Sequence, residues 1–347
     1  GNPLCLNAVG ILAADAGRLE LAIVYFNKAA SVDSGNHQYY TNMGVMFLRL
    51  GQKDKALLCA KRAYEYTKTD PNLLSLMGDV HKAMGKETEA LHYYRQGISL
   101  DACHISAALG LASLYREKDS IVNQEEVVQV LDHVKRSGNT TAALEHYLSA
   151  LTAQTTETAP TEYVRTLFND YADRFEQELT QVLSYDVPAH LRKMSGKRRY
   201  DTLLDLGCGT GLVAKAFEDA AQEKTGIDIA ERMVQKAAET GLYQQLIVGD
   251  LHKALANLEG VYDAIIAADL FIYIGLLDNI FSNIHKVINP KGSFLFSIER
   301  HEGKEPYYLR PTGRYAHSRN YIEELANSSG FAMEKHKAIP IRKERGD

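Results

Sequence analysis

The sequence has few cysteines, and none is paired by spacing. Cys5, Cys59, Cys103 and Cys208 stand far apart in 347 residues and form no Cys-x-x-Cys unit. This disfavours a disulfide framework and a zinc site, and it fits a reducing cytoplasm. A long apolar run is also missing: the best candidate, residues 261–281, is broken by Asp263, Asp269 and Asp278. No stretch reaches the roughly 18 uncharged apolar residues of a membrane span. Basic charge is not in excess, since 39 lysines and arginines meet 44 aspartates and glutamates for a net charge of -5. No global field therefore gathers nucleic acid or an anionic membrane. Neither a charged n-region nor an apolar h-region opens the chain, which begins at Gly1. What remains, 45% hydrophobic and 24% charged, is ordinary globular material with length for two or three domains.

What is present begins with repetition. An offset of 34 residues aligns Gly10 with Gly44 and Gly78, Gly17 with Gly51 and Gly85, and Ala22 with Ala56 and Ala90. Leu6, Tyr40 and Leu74 recur at the same offset, as do Phe26, Ala60 and Tyr94. A fixed period with small residues where helices cross and glycine in the turn predicts a helix-turn-helix solenoid. These residues resemble the tetratricopeptide repeat family, with Met43-Gly44 and Met77-Gly78 as its apolar-small pair. Three copies match. A fourth keeps Ala108, Leu111, Ala112 and Tyr115 but loses the turn glycine, and "TAALEHYLSAL" reads as a terminal helix. The family's usual proline near the repeat end is absent, Pro3 and Pro71 opening helices instead. Since repeats bury their faces against neighbours, further repeats are expected upstream of Gly1. The resemblance implies a concave surface for a peptide or partner protein; a purely architectural role is the rival reading. The polar stretch "AQTTETAPTE", residues 153–162, reads as a linker. It divides an all-α solenoid over 1–155 from a second domain over 162–347.

Beyond residue 200 the pattern changes. Short apolar strands, "DTLLDLG", "KTGIDI", "QLIVGD", "YDAIIAAD" and "GSFLFSIE", alternate with helical segments starting near Gly211, Ala230 and Leu276. Such alternation predicts an α/β doubly wound, Rossmann-like domain whose ligand sits at the carboxyl ends of its parallel strands. The first strand runs into Gly207, Gly209 and Gly211, where backbone must turn with positive φ or approach a ligand closely. The dinucleotide fingerprint would need glycine at 212, which is Leu212. Asp205, Asp228 and Asp250 end the first three strands in turn.

This set resembles the class I S-adenosylmethionine-dependent methyltransferases over residues 162–345. The order of repeats, "FNDYADRFE", "DLGCGTG" and "GRYAHS" resembles predicted methyltransferases that carry tetratricopeptide repeats. The resemblance implies S-adenosylmethionine as cofactor. Gly207, Gly209 and Gly211 would give room to its methionine part, and Asp205 would favour its amino group. Asp228 would accept from the ribose hydroxyls, and Asp250 with the Leu251 N–H would meet the adenine edge. Ile229 and Ala267 complete the expected cofactor set. Tyr171, in a "YA..F" element with Ala172 and Phe175, would close over it; core packing explains the same aromatic stripe.

Methyl transfer is an in-line displacement that needs alignment, and a base only where the acceptor must lose a proton. The acceptor is expected between "AADLFIYIG" and "ERHEGKEPYYLRPTGRYAHSRNY". From these, Tyr273 and His317 are the candidate catalytic residues, and Arg310, Arg314 and Tyr315 the candidate substrate contacts. An arginine-tyrosine lid suits an anionic acceptor; a solvated loop leading into a capped helix is the plain alternative. The expected function is thus methylation of a small or carrier-tethered anionic acceptor, the repeats serving protein interaction. The rivals are a protein methyltransferase whose repeats capture the polypeptide and a non-catalytic, cofactor-binding scaffold. No Asn-Pro-Pro-aromatic tetrad follows the fourth strand, where "AADL" stands, which argues against amino methylation of nucleobases or glutamine. The basic run Arg192, Lys193, Lys197, Arg198 and Arg199 reads as a solvated loop rather than an RNA contact. "IPIRKERGD" is read as a sixth strand, with the sheet's last hairpin expected beyond Asp347.

Overall fold

The computed structural model describes residues 1–115, 120–177, 179 and 185–339. The chain divides into two compact units, Gly1–Leu148 and Ser149–Asp347. Among the described residues no helix is long and apolar enough to cross a membrane.

In the first unit, helices follow one another in pairs: α1 (Pro3–Asp15) with α2 (Leu19–Val32), α3 (His37–Arg49) with α4 (Lys53–Tyr66), α5 (Pro71–Ala83) with α6 (Glu87–Leu100). Then come α7 (Ile105–Tyr115), α8 (Gln124–Arg136) and α9 (Ala142–Leu151), the last crossing the unit boundary. The period is written into the caps. Asn2, Asn36 and Asp70 each accept a backbone N–H two residues on and so open α1, α3 and α5. Gly17, Gly51 and Gly85 share φ +73°, the left-handed turn that lets the second helix fold back. Gly78 has a different reason, because a Cβ there would lie 2.4 Å from the ring of fully buried Tyr94. The Tyr94 hydroxyl donates to Asp79 at 2.6 Å.

The second unit opens with α10 (Thr161–Tyr171), the short α11 (Phe175–Gln177) and α12 (Val187–Ser195). Strands β1 (Tyr200–Leu206), β2 (Ala221–Asp228), β3 (Gln245–Val248), β4 (Tyr262–Ala267) and β5 (Ile288–Phe296) form a parallel sheet in the order β3-β2-β1-β4-β5. The helices between them are α13 (Leu212–Ala216), α14 (Glu231–Glu239), α15 (Leu251–Ala256) and α16 (Asp278–Val287). The strand order reverses beside β1, which puts a crevice at its carboxyl end. One apolar cluster joins Leu204, Leu206, Ile265 and Phe271 to α16, and a second joins Leu203, Ala264 and Ile266 to Val213, Phe217 and Leu191. The sheet is thus covered on both faces.

Two stretches differ from the expectation. Residues 299–318 are no solvated loop but a small sheet, β6 (Glu299–His301), β7 (Tyr307–Leu309) and β8 (Tyr315–Ser318) in the order β6-β8-β7, before α17 (Arg319–Ser328). The stretch read as a linker is a strap bound to the second unit: Gly275 and Leu276 donate N–H to the Glu157 carbonyl, and Ala159 donates to that of Tyr273. The strap's threonine-rich sequence conceals it, because Thr155 accepts the Leu309 N–H and Thr158 donates to the Tyr273 carbonyl instead of meeting water. The proposed sixth strand falls on residues outside those described, apart from Ile339.

Candidate functional site

The site is built from the end of β1. Leu203, Leu204 and Leu206 bury the strand, and Asp205 among them is wholly buried as well. Gly207, Gly209 and Gly211 have φ of +71°, +53° and +97°, so the alternate glycines answer a conformational demand that other residues meet only with strain. Gly207 and Cys208 both donate N–H to the Ile227 carbonyl, tying the turn to β2. At the tip of β2, Asp228 accepts from the Gly209 N–H through Oδ2 and from the Ala230 N–H through Oδ1, both at 2.9 Å. Each oxygen retains a lone pair for a ligand hydroxyl. Burial pushes the Asp228 carboxyl up, against the pull of those amides. Asp250 at the tip of β3 caps α15 by accepting the Lys253 N–H, and Leu251 opens that helix. Ala267, fully buried at the end of β4, takes the Ser297 N–H on its carbonyl. Ile229, like Phe168 and Phe175, packs against the buried cluster of Ala172, Ala230 and Met233.

The aromatic stripe before β1 roofs this turn. A Cβ on Gly209 would stand 3.6 Å from Phe175. Tyr171 meets Phe175 edge-on at 5.4 Å, and Phe168 meets both Phe175 and Tyr273, the latter at 5.3 Å. Arg232 of α14 fixes α10 from below, donating to the Asn169 carbonyl and pairing with Asp173. The structure therefore joins Tyr171 directly, and Tyr273 through Phe168, to Phe175, the ring over Gly209.

It does not bring His317 there as a catalyst. His317 is fully buried in β8, and its Nε2 donates to the carbonyls of Ile274 and Gly275, both at 3.0 Å. Burial pushes its pKa down to about 4. This is a strut beneath the loop after β4, in place of the catalytic role expected of it. Tyr315 is likewise corrected: it is fully buried and its hydroxyl is bonded to Thr156 of the strap. Arg310 is held by Glu299 at 2.8 Å, donates to the Arg300 carbonyl and stacks on Tyr308, so its charge is already met. Arg314 is half-buried and lines a groove beside β5 with Arg300. In the basic run, Arg192 makes a bidentate pair with Asp219, and Arg198 donates from Nη2 to both carboxylate oxygens of Glu334.

Two contributors were not singled out from sequence. Tyr243, before β3, donates its hydroxyl to Asp205 Oδ2 at 2.6 Å. Asp269 has φ +57°, rare for a side-chain-bearing residue, and its N–H donates to the Ser297 hydroxyl. Its only signal was its place after β4, in "AADL". Among the described residues no cluster of His, Cys, Asp and Glu could hold a metal ion.

Residues 204–296 match the family model described as a methyltransferase domain, and residues 71–102 that of a tetratricopeptide repeat. The second unit thus carries a methyltransferase domain over residues 204–296. Among curated proteins this chain is similar to a malonyl-acyl-carrier-protein O-methyltransferase of Pseudescherichia vulneris, 27% identical over 122 residues, which are 33% of this chain and 48% of that one. It is also similar to a ubiquinone biosynthesis O-methyltransferase of Bordetella avium, 25% identical over 158 residues, 40% of this chain and 64% of that one. Among solved structures, a DhpI-SAH complex has a TM-score of 0.40 at 17% identity, covering 49% of this chain and 87% of that one. The chain spans about half the length of the first curated relatives it matches. The methyltransferase model begins within β1 and ends with β5, so it encloses Asp205, the glycine turn, Asp228, Asp250 and Ala267. The donor set fits the cofactor of this domain: side-chain-free backbone beside β1, and carboxylates with spare lone pairs on the neighbouring strand tips.

Proposed function

We propose that the chain transfers a methyl group from S-adenosylmethionine to a small or carrier-tethered anionic acceptor, while its repeats hold a protein partner. The observation that carries the reading is the three-glycine turn, held from β2 by Asp228 and roofed by Phe175. The bound cofactor would supply a sulfonium methyl group for in-line displacement. The chain's part is to bind, orient and exclude water. Asp228 would take the ribose hydroxyls, Asp250 and the Leu251 N–H the adenine edge, and Asp205 the methionine amino end. Gly207, Gly209 and Gly211 would offer backbone with no side chains of their own to the methionine part, with Ile229 and Ala267 assigned beside it. Tyr171, Phe168, Phe175 and Tyr273 form an aromatic roof, and Tyr273 is assigned to line the acceptor.

A carboxylate acceptor has no proton to lose and asks for no base, which suits a site whose expected histidine is a strut. Arg314, beside Arg300 in the groove along β5, is the cation assigned to the acceptor's charge. Relatives named for methylation of a malonyl-acyl-carrier protein support the carrier-tethered class. The test is the fate of label: the chain is incubated with methyl-labelled cofactor and a cell extract. The expected product releases its label as volatile methanol in base, as a methyl ester does. Base-stable label on polypeptide side chains would overturn the anionic acceptor and favour a protein methyltransferase.

A further inference from the structure

Asp205 is the one acid of the turn that the backbone does not hold. Its Oδ2 accepts from Tyr243, whereas Oδ1 is buried with no hydrogen-bond partner among the described residues. A wholly buried carboxylate oxygen left unmatched costs free energy unless a donor arrives. The path by which Tyr243 reaches it is specific. Asp205 on β1 lies in register with Gly226 on β2. A Cβ on Gly226 would stand 2.9 Å from the Tyr243 ring, and one on Gly211 would stand 3.3 Å from it. The ring thus crosses β2 over a position without a side chain and passes under the glycine turn. This accounts for Gly226, whose φ is not left-handed.

We propose that Tyr243 is a positioning residue of the cofactor site: it clamps one carboxylate oxygen of Asp205 and leaves Oδ1 as the acceptor for the ammonium group of the cofactor's methionine part. The inference rests on the reading of this crevice as the S-adenosylmethionine site. The ionisable groups facing Asp205 are Asp228 from β2, Cys208 from the turn and Tyr243 itself. Burial pushes the Asp205 carboxyl up to about 7, the Tyr243 hydroxyl pulls it down, and the charge of Asp228 pushes it up again. A cation entering beside Oδ1 favours the ionised form, so binding expels a proton wherever Asp205 starts protonated. Affinity then falls as pH drops through that range.

The experiment is calorimetry of S-adenosylhomocysteine binding to the full chain, wild type and Tyr243→Phe, across about pH 5.5 to 9. The product nucleoside keeps the amino group and requires no turnover. Without the phenol Asp205 holds its proton more tightly, so the midpoint of the acid limb moves to higher pH. The variant is expected to bind about tenfold more weakly near pH 6.5, and within about twofold of wild type near pH 9, for a shift of about one unit. Equal affinities at every pH, or a loss that is the same at every pH, would overturn the proposal. Should Tyr243→Phe fail to fold, Asp205→Asn decides, because removing the titrating group must flatten the wild-type profile; an unflattened profile overturns it equally. Absence of binding by the wild type would instead count against the cofactor reading itself.

Discussion

Asp228 spends both oxygens on backbone amides and has lone pairs to spare, so a single side chain serves the turn and the ligand together. Asp228→Ala is expected to weaken S-adenosylmethionine binding by roughly 1 to 3 kcal/mol, the range for hydrogen bonds to a charged group, read by calorimetry. Gly209→Ala separates conformation from crowding. Its Cβ would meet Phe175 at an ordinary 3.6 Å, so the expected loss of about 1 to 2 kcal/mol in thermal stability comes from the left-handed backbone. What was legible at this scale is placement: glycines two apart turn with positive φ, and the acids stand at or just past strand ends, as their spacing predicts. The errors share one physical cause. His317, Tyr315 and Arg310 are polar and lie in a stretch rich in charge, and the sequence does not tell a polar group facing a ligand from one satisfied by backbone or by an acid across a small sheet. Tyr243 carries no signal in the sequence because its contact with Asp205 depends on the register of β1 with β2.

At the scale of elements, two devices can be tested. The Tyr94–Asp79 pair sits where α5 and α6 cross, and burial pushes Asp79 up to about 6. The folded state therefore binds a proton more tightly than the unfolded chain, whose carboxyl has the ordinary value of 3.8. Stability falls as pH rises from that value through about 6, and the penalty is fully present above it. Asp79→Asn keeps an acceptor for Tyr94 and does not titrate. It is expected to raise thermal stability by about 1 to 2 kcal/mol near pH 8 and to lose that gain near pH 4; melting curves at the two pH values check it. The repeat register supplies the second test. Leu12, Met46 and Val80 stand 34 residues apart, yet Leu12 is 67% exposed while Met46 and Val80 are 6% and 0%. Val80→Lys is expected to unfold its repeat, at about 3 kcal/mol or more for an unpaired buried charge, whereas Leu12→Lys stays within about 0.5 kcal/mol. Helix pairs and strands were readable because their periods are set by packing. The strap at 155–159 was not, since its partners lie more than a hundred residues away.

For the whole molecule, the glycine turn, its roof, the strap and the small sheet are all drawn from residues 155–318, within the second unit. A chain lacking residues 1–141 is accordingly expected to keep its cofactor affinity within about twofold, a change worth under about 0.5 kcal/mol, and to lose the protein interaction assigned to the repeats. Two periods, 34 residues and the strand-helix alternation, made the two architectures legible before any coordinates. The acceptor was not, because it is chosen by a few side chains on loops whose burial decides their role. The central claim is that this crevice receives a sulfonium nucleoside. A crystal structure of the chain soaked with S-adenosylhomocysteine tests it most directly: the account predicts the methionine part along Gly207 and Gly209, with the ribose on Asp228. An empty crevice at saturating nucleoside, or the nucleoside bound elsewhere, would contradict it.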